Sequence, residues 1–89
     1  MITMKIGNLY KTTETEDYYK FSFKPPENHF SNGFFDVDSI FLLLDIIFDE
    51  ERSNKGRKCY WFKVLCQNKI CFFWRSDEYG KFEELFVSV

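Results

Sequence analysis

The chain has 89 residues, a net charge of −2 from twelve basic and fourteen acidic side chains, and an aromatic content of 21%. That length fits one small domain, taken as 1–89, which buries about 60–65% of the surface its unfolded chain exposes. A hydrophobic fraction of 45% excludes disorder, which needs low hydrophobicity and high net charge, and the slight acidity argues against a binder that works by neutralising phosphates.

Met1 to Lys11 lacks the apolar stretch of a signal peptide. The longest apolar run, Ile40 to Phe48, is broken by Asp45 and falls well short of the ~20 residues that span a bilayer. The expectation is a soluble, cytoplasmic protein. Cys59, Cys66 and Cys71 are odd in number and come without a secretory signal, which points to reduced thiols.

Met4 to Lys11 predicts a first strand, with Gly7 marking a bulge or tight bend. Thr12 to Asp17 is a polar, acidic loop. Tyr18 to Lys24 alternates, placing Tyr19, Phe21 and Phe23 on one face, the signature of a half-buried strand. Pro25-Pro26 ends it, and Glu27 to Gly33 has loop chemistry closing on the turn dipeptide Asn32-Gly33. Phe34 to Glu51 is ambiguous. Val37, Ile40, Phe41, Leu44, Ile47 and Phe48 fall at helical spacing, yet a fully buried strand would show the same apolar run. Strand is preferred, because a charged link, Asp49 to Lys58, leads into a clear hairpin: Lys58 to Cys66, a turn at Gln67-Asn68-Lys69, then Ile70 to Arg75. Lys81 to Leu85 fits one short helical turn before a last strand, Phe86 to Val89. Five or six antiparallel strands with short links predict a small barrel or compact sandwich.

The segments KIGNLYK (Lys5 to Lys11), IFLLLDI (Ile40 to Ile46), YWFKVLCQNKICFFW (Tyr60 to Trp74) and FEEL (Phe82 to Leu85) are similar, in that order, to the strands of small SH3-like β-barrels common in tailed phages. The resemblance covers the chain except Glu14 to Asp38, which is extra, and departs at the hairpin tip, where the usual glycine is missing. It implies an SH3-like β-barrel and a phage-type origin. It carries over no catalytic residue, since this fold hosts unrelated functions.

Catalytic signals are weak. His29 is the single histidine and stands without a partner for a metal or a nucleophile, and the cysteines lack C-x-x-C spacing. The carboxylate pairs Asp36/Asp38, Asp49/Glu50/Glu51, Asp77/Glu78 and Glu83/Glu84 sit in charged turns that solvation explains. No enzyme activity, cofactor or metal is expected.

The hairpin is the informative element. One face holds Cys59, Trp61, Lys63 and Leu65 with Ile70, Phe72 and Trp74; the other holds Tyr60, Phe62, Val64 and Cys66 with Cys71, Phe73 and Arg75. Both are apolar, where an antiparallel sheet with one solvated side needs one. The second must be covered by the Glu14 to Asp38 insertion, by a second copy, or by another protein. Tyr60, Trp61, Phe72, Trp74 and Arg75 are the expected binding residues; Trp61, Trp74, Tyr60 and Arg75 are of the types enriched at interface hot spots. The expected function is a non-enzymatic protein-binding module, a phage-type accessory protein that binds and inhibits or redirects a host factor such as a defence protein. One alternative is a nucleic-acid-binding barrel using Lys55, Arg57, Lys58, Lys63, Lys69 and Arg75 around stacked bases; another is a small virion or assembly component acting as a homo-oligomer.

Overall fold

The computed structural model describes residues 4–19, 33–77 and 85–89. Within them the chain is mostly β, with seven strands: β1 (Leu9–Thr12), β2 (Glu16–Tyr18), β3 (Gly33–Phe35), β4 (Ile40–Phe48), β5 (Cys59–Cys66), β6 (Lys69–Ser76) and β7 (Phe86–Ser88). Five form an antiparallel sheet in the order β6-β5-β4-β1-β7, and β2 pairs with β3 in a separate two-stranded ribbon. Among the described residues the sheet does not close on itself, so the architecture they show is an open sheet with a ribbon attached and not a closed barrel. The ribbon meets the sheet edge at Tyr19, whose N–H and C=O both pair with Phe72 on β6 at 2.8 Å.

The hairpin β5–β6 has the two faces that alternation predicts, with Trp61 opposite Trp74 and Phe62 opposite Phe73. Its turn is made by Gln67 and Asn68, at φ 51° and 61°. Positive φ at both central residues is the two-residue turn whose twist suits a hairpin, normally supplied by Asn-Gly. The ambiguous central segment is a strand, β4, as preferred. A bulge falls between Leu43 and Asp45, so Phe41 and Leu43 point inward before it and Ile46 after it. A bulge bends its strand and shifts its side-chain frame by one residue.

Strand β1 starts later than expected. Met4 to Asn8 holds a turn, with Asn8 N–H donating to the Lys5 carbonyl at 3.2 Å and Gly7 at φ 93°. Gly33, expected to end a loop, opens β3. Its φ of 152° and a virtual Cβ 2.9 Å from the Tyr18 ring leave room for no side chain. Strand β2 begins earlier than expected: Glu16 and Asp17, expected in the Thr12 to Asp17 loop, belong to it. Of the strand expected over Tyr18 to Lys24 the described part is Tyr18, which ends β2, and Tyr19, which bridges to Phe72. The rest of it, the Pro25-Pro26 stop, His29 and most of the Lys81 to Leu85 turn lie outside the described residues.

Aromatic rings fill the core between sheet and ribbon. Phe41 meets Phe73 and Phe86 edge-on at 5.3 and 5.4 Å, Phe73 stacks on Phe86 at 6.0 Å, and Tyr18 stacks on Phe35 at 4.6 Å. Such pairs add about 0.5–1.5 kcal/mol each beyond burial. The aromatic side chains of the described residues are thus largely absorbed inside. Among the described residues, most of the large hydrophobic side chains left exposed are aliphatic.

Candidate functional site

Trp61, Lys63, Leu65, Ile70, Phe72 and Trp74 share the sheet face turned away from the aromatic core. The chain covers part of that face itself. Trp61 and Phe72 are buried. Tyr19 lies over them, its ring 5.3 Å from Trp61 at 89° while its backbone pairs with Phe72. From the other side comes the β4–β5 link, stapled down by Ser53, whose hydroxyl donates to the Asp49 carbonyl at 2.6 Å and accepts from Cys59 N–H at 2.9 Å. This places Asp49 beneath the surface, 3% exposed. Its Oδ2 accepts from Trp61 Nε1–H at 3.0 Å and from Arg52 Nη1 at 2.7 Å. Burial opposes ionisation of Asp49, but the bonds from the Arg52 side chain, Trp61 and the Arg52 backbone outweigh it and hold the carboxyl below its ordinary 3.8.

Between these covers a cleft of about 200 Å³ stays open, lined by Tyr19, Arg52, Trp61 and Trp74. Trp74 is half-buried, and its indole nitrogen, shielded from water, meets no acceptor among the described residues. A buried donor without a partner costs about 1–3 kcal/mol. The cleft is walled by two indoles, a phenol ring and a guanidinium, and the shielded Trp74 N–H belongs to one of those walls. A larger depression of about 390 Å³, at the start of β1 and β7, is lined by Met4, Lys5, Asn8, Tyr10, Phe86, Val87 and Ser88. There Lys5 N–H and the Tyr10 hydroxyl already satisfy each other at 2.6 Å.

Of the five expected binding residues, Trp61 and Trp74 meet in the cleft and Phe72 lies beneath Tyr19. Tyr60 and Arg75 are opposite each other on the core-facing side. Tyr60 packs edge-on to Phe48 at 5.5 Å. Arg75 pairs with Glu16, which is fully buried, and lies 3.6 Å from Glu14. Burial pushes the Glu16 carboxyl up to about 7 against the pull of Arg75, with Glu14 and Asp17 adding to the rise. Its second oxygen, Oε1, has no partner among the described residues. Sequence reasoning placed Asp49 and Glu16 in solvated turns and missed both. The available signal was Arg75 itself, a cation on the core-side face of a hairpin, which needs a carboxylate. The cysteines are buried free thiols, and burial raises Cys66 despite nearby Lys69.

No family model, curated protein or solved structure matches the chain. Among the described residues no helix is long and apolar enough to cross a membrane.

Proposed function

We propose that the chain is a non-enzymatic protein-binding module that takes one side chain of its partner into the cleft between Tyr19, Arg52, Trp61 and Trp74. The observation that carries this reading is an aromatic cleft, one of whose walls is a tryptophan with its indole N–H shielded from water and without an acceptor among the described residues; an occupant that shifts that wall can supply one. A cleft of this volume is below the ~300–1,000 Å³ of small-molecule pockets and suits a single protruding side chain. Tryptophan, tyrosine and arginine are the residue types that dominate binding hot spots. The occupant brings an oxygen acceptor to Trp74 and apolar atoms to the rings. In the phage-type setting that the SH3-like resemblance implies, the partner is a host factor.

Several facts favour protein over nucleic acid. Arg75 is engaged by Glu16 and Glu14, Arg52 by Asp49, and Lys69 lies 5.6 Å over the Tyr18 ring. Of the six basic residues that would serve nucleic acid, Arg75, Lys69 and Arg57, whose guanidinium donates to the Arg52 carbonyl, are thus committed, and phosphate binding needs uncommitted cations. The cysteine chemistry does not favour catalysis either, because a buried thiol with a raised pKa is a poor nucleophile. Glu16 titrates near neutrality, but with no exposed surface it has no route to a substrate.

The test is affinity capture from bacterial lysate with immobilised chain, followed by reconstitution with each purified candidate. A genuine partner binds the wild type and is lost with Trp74→Ala and Tyr19→Ala. Retention of nucleic acid in place of a protein, or a protein indifferent to both substitutions, removes the proposal.

A further inference from the structure

The uncovered end of the same sheet face carries a different feature. Leu9 pairs with Leu42, Leu42 with Leu65, and Leu65 with Ile70, so four aliphatic side chains form one row across β1, β4, β5 and β6. Residues directly opposite on neighbouring strands share a face. Leu9, Leu65 and Ile70 are 48%, 38% and 57% exposed. The next row along the strands pairs Asp45 with Lys63.

This pattern is symmetric about the boundary between β4 and β5. On either side the aliphatic row reads leucine, then leucine or isoleucine, while the bordering charge reverses sign. We infer that this face is a two-fold interface between two copies of the chain. A two-fold axis along the strands, between β4 and β5, lays one sheet on the other and exchanges β4 with β5 and β1 with β6. It sets Leu42 against Leu65 of the second copy, Leu9 against Ile70, and Asp45 against Lys63, each contact occurring twice. Lys11, the other charged residue that the register places on this face, is set over the neutral turn at Gln67 and Asn68. An isologous contact requires a surface complementary to itself; a foreign partner imposes no such palindrome. The packing is that of a face-to-face sandwich, sheets about 10 Å apart and crossed by about 30°. It leaves the aromatic cleft, at the other end of β5 and β6, out of the contact, so the inference stands apart from the partner reading.

Sedimentation equilibrium over a wide concentration range tests it, with circular dichroism confirming that each variant is folded. The wild type should self-associate to a dimer. Asp45→Lys and Lys63→Asp should each weaken it by about tenfold or more, since each sets like charges face to face. Mixing the two variants should restore a one-to-one heterodimer, because every Asp45 and Lys63 contact is then between opposite charges. An intramolecular role for the pair could not produce that rescue. Ile70→Gln, at an exposed position, should weaken the dimer without unfolding it. A wild type monomeric at all concentrations, a dimer indifferent to these changes, or variants that fail to rescue each other overturns the inference. So does a monomer whose Ile70→Gln variant loses a foreign protein that the wild type binds.

Discussion

The indole N–H of Trp61 donates to Asp49 Oδ2 at 3.0 Å, and the same oxygen accepts from Arg52 at 2.7 Å. One buried carboxylate thus fixes the floor of the cleft and the loop that forms its wall. Asp49→Ala leaves a buried indole N–H and a guanidinium without their acceptor. It should lower stability by about 2–4 kcal/mol, and thermal denaturation would show it; Asp49→Asn keeps an acceptor and should lose less. Because the folded carboxyl titrates below 3.8, this contribution is present at higher pH and is lost as pH falls through the folded value.

Glu16 carries the opposite pH dependence. Its carboxyl titrates at about 7 when the ribbon is docked, against 4.5 ordinarily, so the docked state holds a proton that the released chain has given up in that window. Docking is strongest below pH 4.5 and weakens as pH rises to about 7. Glu14, Asp17 and Arg75 are the charged groups that act on it. Amide hydrogen exchange at Tyr19 and Phe72, corrected for intrinsic rates, should show less protection at pH 8 than at pH 5. Glu16→Gln, neutral throughout, should flatten that difference. Equal protection at the two pH values would contradict it.

Gln67 and Asn68 both hold positive φ at the hairpin tip, a conformation that carries a steric penalty in residues other than glycine and asparagine. Replacing the pair by Asn-Gly should stabilise the protein by about 1 kcal/mol, seen as a higher denaturant midpoint at unchanged slope.

Trp74→Phe separates binding from folding. It removes an indole N–H that is buried without a partner, so the free protein should be as stable as the wild type or slightly more so. Partner affinity should fall about tenfold, the loss of one hydrogen bond formed in a desolvated site. A variant that binds as tightly as the wild type would show that the indole N–H is not used.

The hairpin was legible from sequence because alternation is local, and its two faces emerge as the spacing predicts. Strand β4 was legible as a strand only through its neighbours. Its bulge between Leu43 and Asp45 hands the inward frame from odd to even positions, and Ile40 and Leu42 keep the outer face apolar, so no single period fits. What covers Trp61 and Phe72 was not legible in detail, since Tyr19 reaches them from a distant part of the chain. Asp49 and Glu16 looked solvated for the same reason: their partners, Trp61 and Arg75, lie 12 and 59 positions away. The SH3-like pattern predicted closure, whereas among the described residues the sheet stays open and the ribbon reaches its edge through the backbone of Tyr19 and the Glu16–Arg75 pair.

The order of the strands has an evolutionary consequence. The five-stranded sheet completes its ladder from β1 to β4 without either ribbon strand. The span between them can therefore vary while the sheet keeps its own pairing, provided that Glu16, Tyr18 and Phe35, which are buried against the sheet, are kept. Tyr19, however, is supplied by that span, so each such change would remodel the cleft. The molecule is a fixed frame with an exchangeable fitting, and related chains would be expected to differ most in the part that chooses the partner.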